Sequence, residues 1–196
     1  MSRKEDSLQT RERLLIAAFN NFYEFGFQSP SLEKISRSAS VSRGAAYWHF
    51  ENKSQIFKEV IKEVLSKIQL EKEKIIQNDQ WDFQEKTARL IHVPTKHLKN
   101  FKFLQQSMQT LETEAEFSEV YQEIQASKLR LYQFFETGLL TIGCEASQAS
   151  ELASLFYTYF EGMYVSGIPK EVKPTYKLSV INNNLEIIFS QLKKIL

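Results

Sequence analysis

The chain has little of what builds staples, strands or membrane spans. A single cysteine, Cys144, among 196 residues excludes an intramolecular disulfide and a cysteine-based zinc site, and suits a reducing compartment. Its ordinary place is that of a small apolar side chain rather than a redox sensor. Four prolines and six glycines leave few breaks. Apolar positions recur at three and four rather than two, which gives strands little support. No apolar run approaches the length of a membrane span, and the polar stretch Met1 to Thr10 lacks the apolar core of a signal peptide. The expectation is a soluble, cytoplasmic chain with no membrane partner. A glycine-rich phosphate loop, a His-Glu-x-x-His motif, a cysteine-histidine pairing and a clear carboxylate dyad are also missing. An all-helical enzyme therefore has weak support, and no cofactor is expected.

What is present is a foldable, aromatic-rich composition. Apolar residues make up 42% and charged residues 25%, with 15 phenylalanines and 8 tyrosines. The formal net charge of +1 excludes a uniformly basic coat but leaves room for a local basic surface. The length accommodates one domain, or a small module attached to a larger one, and the pattern favours the second.

The periodicity reads as all helical. A first helix is expected after Thr10, with Leu15, Ala18, Phe19, Phe22 and Phe25 on one face and Gly26 as its left-handed terminator. A second of about two turns follows Ser31 as N-cap, and Leu32, Ile35 and Ala39 turn inward. Ser40-Val41-Ser42 makes a turn, Ser42 caps a third helix that stops near Phe50, and Asn52 caps a long helix from Lys53. Further helices are expected over 83–93, 96–110, 114–141, 146–166 and 174–196. Breaks are expected at Asn78-Asp79, Pro94, Gly143 and the Gly167-to-Pro174 loop.

Residues 31 to 53 thus hold two short helices around a tight turn, the helix-turn-helix arrangement. Small residues at the start of the second helix, Gly44, Ala45 and Ala46, let a backbone approach base edges in the major groove while Arg43 reaches guanine. Tyr47, Trp48 and His49 are too large for one buried face, whereas Ala46 and Phe50 can turn inward toward Ile35 and Val41. Tyr47, His49 and Lys53 carry groups suited to phosphate oxygens. Taken one at a time, the aromatic cluster also reads as a protein contact, and Arg43 and Lys53 as solvated charge.

Together with Thr10-Arg11-Glu12-Arg13, Ser31-Leu32-Glu33-Lys34-Ile35 and Asn52-Lys53, the run Val41-Ser42-Arg43-Gly44-Ala45-Ala46-Tyr47-Trp48-His49-Phe50 resembles the DNA-binding domain of the TetR family. Within it, Arg-Gly-Ala-x-Tyr-Trp-His-Phe looks most like AcrR-type efflux-pump repressors. The distinctive motif covers roughly the first 60 residues. The resemblance implies a homodimer whose recognition helices stand about 34 Å apart on a near-palindromic double-stranded operator. It further implies a DNA-binding domain over 1–54 and a helical domain over 55–196 that binds a small hydrophobic effector and dimerises through its last two helices. By the same resemblance Arg43, Gly44 and Ala45 touch bases, and Tyr47, His49 and Lys53 touch phosphates. Ser31 and Ser42 then sit at helix starts near the backbone, with Trp48 in the same surface. Ser40 stands where the family usually has glycine, which costs a left-handed non-glycine residue about 1 kcal/mol. Ala46 is smaller than the family's usual branched residue.

The C-terminal stretch carries no defined ligand motif. Leu65, Ile68, Trp81, Phe101, Phe103, Met108, Tyr121, Tyr132 and Phe135, with Phe134 and Phe160 beside them, are the side chains suited to line an apolar cavity, although aromatic stripes at helical spacing are ordinarily plain core. Leu152, Leu155, Phe156 and Tyr159 in one helix, and Ile181, Leu185, Ile188 and Leu192 in the next, form faces wide enough for two packing partners. A second copy of the chain is one such partner, and a wholly intramolecular bundle is the alternative. A C-terminal surface that docks another protein is the rival to a ligand switch. His92 and His97 flank Pro94 without the spacing of a helical metal pair, so no metal site is expected.

Overall fold

The computed structural model describes residues 3–165 and 177–195, and among these the regular structure is helical. In chain order the helices are α1 (Arg3–Phe25), α2 (Leu32–Ser38), α3 (Arg43–His49), α4 (Lys53–Ile76) and α5 (Phe83–Lys96). They continue with α6 (Leu98–Thr113), α7 (Ser118–Thr141), α8 (Ala146–Gly162) and α9 (Leu178–Ile195). A 3₁₀ turn, Ala115–Phe117, leads into α7. The chain divides into two compact units, one of residues 1–66 and 103–122, the other of 67–102 and 123–196. The boundary falls inside α4, α6 and α7.

Several expected boundaries move. The first helix begins at Arg3, and Thr10 lies inside it with its hydroxyl donating to the Asp6 carbonyl at 2.8 Å, so Thr10 is not a start signal. Helix α5 runs through Pro94 to Lys96 because the residues around it, Leu90, Ile91 and Val93, are buried and hold the helix by packing. The 114–141 helix begins four residues later, after the 3₁₀ turn, and the helix expected to reach 166 stops at Gly162. The expected Gly167-to-Pro174 loop and the side chain of Ile195 lie outside the described residues. Gly26 and Gly143 terminate their helices with φ of 71° and 104°.

In the first unit α1 packs on α2 and α3 around Leu14, Ala18, Leu32, Ile35, Ala46 and Phe50, all buried. Each such side chain contributes roughly 1.5–3 kcal/mol where it is large and apolar. Below them Phe22, Phe27, Phe57, Phe103 and Phe117 form a ring cluster with centroids 4.8–6.1 Å apart. In the second unit α5 packs against α8 and α9. Phe156 stacks on Phe189 at 5.9 Å, and Phe83 meets Phe189 edge-on at 5.7 Å. Among the described residues no helix is long and apolar enough to cross a membrane, and no metal-binding cluster occurs.

Candidate nucleic-acid interface

Two serines start the two short helices. The Ser31 hydroxyl accepts from the Lys34 amide and the Ser42 hydroxyl from the Ala45 amide, each at 3.2 Å. The turn between the helices closes through Ser40, the only non-glycine with positive φ among the described residues, at 54°. The Arg13 guanidinium donates to the Ala39 and Ser40 carbonyls at 2.6 Å each. That clamp from α1 holds the turn from outside, which offsets the strain of a left-handed serine.

Helix α3 buries Ala46 and, just past its end, Phe50, while Val41 is half-buried. Its other side is open: Trp48 is 73% exposed and Tyr47 42%. Arg43 and Gly44 are exposed and Ala45 half-buried. A Cβ added at Gly44 meets nothing within 4 Å, so the chain's own packing does not demand glycine there. The space it leaves faces outward, where close backbone approach to a duplex needs it.

The charged groups are tied together by a residue absent from the sequence-derived set. The Glu33 carboxylate accepts from the Tyr47 hydroxyl at 2.8 Å and pairs with the Arg43 guanidinium at 3.2 Å. Arg43 also stands over the Tyr47 ring at 5.5 Å. The Tyr47 bond holds the Glu33 carboxyl below its ordinary range and raises the Tyr47 phenol. Nothing in helical periodicity relates position 33 to positions 43 and 47, since they face one another only once the turn has folded. Lys53 donates to the Gln28 carbonyl at 3.1 Å and lies 4.4 Å over the Phe27 ring, so its ammonium is fixed at the start of α4. His49 is half-buried, and burial together with the Arg11 charge lowers its pKa. Arg11 pairs with Glu59 at 2.6 Å and stands over Phe50, joining α1 to α4.

The residues expected to line a ligand cavity fall in both units. Leu65, Phe103, Met108 and Tyr121 belong to the first, and Phe103 is part of its ring cluster. Ile68, Trp81, Phe101, Tyr132 and Phe135 belong to the second. There Phe101 packs on Phe160 and Tyr164, and Arg89 covers Trp81 at 4.0 Å. The Tyr132 hydroxyl lies 2.9 Å from the Ser150 hydroxyl. An open groove of about 410 Å³ in the second unit is lined by Phe83, Gln133, Phe134, Thr137, Gly138, Thr141 and Ile142, and by none of those nine. The eight dimerisation candidates divide. Phe156, Ile181, Leu185 and Leu192 are buried in the chain's own packing, whereas Leu155 is 50% exposed and Leu152, Tyr159 and Ile188 are half-buried.

Comparison with known proteins agrees with this geometry. Residues 14–60 match the family described as bacterial regulatory proteins, tetR family. Over 57 residues the chain is 44% identical to the probable acrEF/envCD operon repressor of Escherichia coli strain K12, a match covering 29% of this chain and 26% of that protein. The matched stretch is thus about a quarter of the relative's length. Among solved structures, a TetR/AcrR-family transcriptional regulator from Aquifex aeolicus VF5 superposes with a TM-score of 0.63 at 24% identity, covering 95% of this chain and 99% of the other. A SmeT–triclosan complex superposes with a TM-score of 0.64 at 23% identity, covering 91% and 90%. The short, well-matched segment is the one that carries the capped helices, the exposed Arg43 and the open flank of α3, and over that segment the chain is similar to the DNA-binding region of TetR-family regulators, AcrR-like operon repressors among them.

Proposed function

We propose that this protein is a cytoplasmic, homodimeric transcriptional repressor that reads a near-palindromic operator through α2 and α3 and is released by a small hydrophobic effector. The observation that carries the reading is the N-terminal end of α3: Ser42 caps it, Arg43 projects from it, and no internal packing fills the space over Gly44. In this reading residues 1–54 act as the DNA-binding domain and 55–196 as the effector and dimerisation domain. Arg43, Gly44 and Ala45 meet base edges. Tyr47, His49 and Lys53 meet phosphates, Trp48 packs against the backbone beside them, and Ser31 and Ser42 present the two helix starts.

The dimer face uses the apolar groups that α8 and α9 leave exposed, Leu155 and Ile187, with Leu152, Tyr159 and Ile188 around them. Asn184 donates to the Tyr159 hydroxyl at 3.1 Å, which ties the two helices on that side. Support for an effector comes from the AcrR-like relationship and from the SmeT structure, which holds triclosan. Helix α4 is continuous from Lys53 to Ile76, so a ligand that reorients it shifts operator affinity; a coupling of about 1–3 kcal/mol weakens binding roughly 5- to 150-fold.

The test is operator selection from a random duplex library with wild type and Arg43→Ala at one fixed salt concentration. Wild type selects a near-palindrome, and the variant loses preference at defined positions. Wild-type binding that is unselective and steeply salt-dependent removes the sequence-reading role and favours a docking function for the C-terminal helices.

A further inference from the structure

Two features of the second unit are unused by DNA recognition. The first is Lys72 on α4, 7% exposed, whose ammonium has three N–H groups and donates to the Ser127 hydroxyl at 3.0 Å. Ser127 in turn donates to the Gln69 side-chain carbonyl at 3.3 Å. Among the described residues no carboxylate forms an ion pair with Lys72. Burial, then the nearby Arg130, push its pKa down to about 8, and Glu73 opposes them only in third place. A buried ammonium whose hydrogen-bond partner is one neutral hydroxyl oxygen, with a second cation in its electrostatic surroundings, lacks the counter-charge that normally accompanies burial.

The second feature is the groove of Phe83, Phe134 and Gly138, lined mainly by carbon. A Cβ at Gly138 would fall on the Phe83 ring, so the absent side chain lets that ring settle against α7 and shape the groove. Both features lie on α7. Ser127, Arg130, Phe134, Gly138 and Thr141 recur at intervals of three and four along it, one stripe of the helix. At 1.5 Å per residue, Phe134 lies about 10 Å and Gly138 about 16 Å beyond Ser127.

We propose that this unit binds an amphipathic monoanion, its carboxylate held by Lys72 and Ser127 beside Arg130 and its apolar body extended along α7 into the groove of Phe83, Phe134 and Gly138. The carboxylate supplies the missing counter-charge and accepts the remaining Lys72 N–H groups. The apolar body covers the carbon-lined walls. A neutral ligand of the same length satisfies only the groove, and a cationic one is repelled by Lys72 and Arg130. This assignment gives the effector of the proposed repressor a chemical class and rests on that reading for its regulatory meaning, though not for the binding itself.

The experiment is calorimetric titration of the full-length protein at pH 7 with decanoate, decanol and decyltrimethylammonium, each below its aggregation threshold. Decanoate is expected to bind at least tenfold more tightly than the other two. Lys72→Met should lose at least tenfold of the decanoate affinity and leave decanol unchanged, with Arg130→Gln showing a smaller loss in the same direction. In wild type, the Lys72 ammonium followed by NMR should titrate at higher pH once decanoate is bound, a shift that a purely packing lysine does not show. Equal binding of decanoate and decanol, undiminished decanoate affinity in Lys72→Met, or no decanoate binding at all overturns the assignment. Decanoate is then added to the protein–operator complex. Binding without release leaves the anion site standing and removes the effector role, whereas release confirms both.

Discussion

Replacing Lys72 by methionine should stabilise the protein at neutral pH, although it removes a hydrogen bond. The folded ammonium titrates at about 8, against 10.5 for an ordinary lysine. At about 1.4 kcal/mol per pH unit, that gap is a cost of about 3 kcal/mol carried by the charged form. Methionine keeps the length and apolar stem, and Ser127 retains its bond to Gln69. Loss of the Lys72–Ser127 bond takes back about 1 kcal/mol, leaving a net gain of about 2 kcal/mol. For a chain of this size the gain raises the melting temperature by about 4–8 °C. The sign with pH follows from linkage. Below pH 8 the lysine is charged in folded and unfolded chains alike, so the cost is fully present. Between 8 and 10.5 the folded chain holds fewer protons than the unfolded one, and wild-type stability rises with pH. The advantage of Lys72→Met therefore shrinks across that window. Calorimetric melting of both proteins at pH 7 and pH 10 measures it. A variant less stable than wild type at pH 7, or an advantage unchanged at pH 10, refutes the reasoning.

Glu33→Gln should raise overall duplex affinity, since a carboxylate beside the phosphates is removed, while relaxing base preference at the positions that Arg43→Ala also relaxes; selection with both variants at matched salt reads the two effects separately. Arg13→Ala loses two charge-assisted bonds to the Ala39 and Ser40 carbonyls and should cost about 1–3 kcal/mol, measured by denaturant unfolding. Gly138→Ala forces Phe83 off α7 and should cost about 1–3 kcal/mol, visible as a lower melting temperature and altered filling of the groove. Burial and then the Arg11 charge hold the His49 pKa below its ordinary 6.5, so the phosphate contact proposed for it should strengthen as pH falls through that lowered pKa, and His49→Gln should flatten that part of the affinity profile.

Much of the first unit was legible because its signals are local. Ser31, Ser42 and Asn52 cap helices within three residues of themselves, and Gly26 ends α1 by its own backbone preference. The inward turn of Ala46 and Phe50 follows from period alone. What periodicity does not carry is the identity of the partner across a fold. Glu33, Arg13 and Gln28 meet their partners at separations of 14, 26 or 27, and 25 residues, and these are the contacts that position Tyr47, the turn and Lys53. The same limit governs α8 and α9. A wide apolar face says that a helix has more than one neighbour, but whether Ile181 and Leu185 meet their own chain or a second copy depends on which neighbour arrives first. Here it is the chain itself, which leaves Leu155 and Ile187 outside. Pro94 shows the converse: a strong local break signal is overridden where the residues before it, Leu90, Ile91 and Val93, are buried.

Glu33 makes the balance at the DNA-facing surface more informative than the presence of Arg43 alone. An arginine 72% exposed on its side chain ordinarily samples many rotamers, and ordering it on a base costs about 0.5–1.5 kcal/mol. The ion pair with Glu33 and the Tyr47 ring restrict those rotamers before the duplex arrives, so part of that ordering is already complete. The same carboxylate repels phosphates, an interaction that fades beyond a Debye length of about 8 Å at physiological salt. The two effects therefore separate in distance and in salt. Repulsion acts on every duplex and weakens as salt rises, whereas restriction of Arg43 acts only where a guanine edge accepts it. A helix-turn-helix built this way gives up affinity for every duplex in exchange for a prearranged Arg43, and the affinity given up should be largest at low ionic strength, where the carboxylate is unscreened.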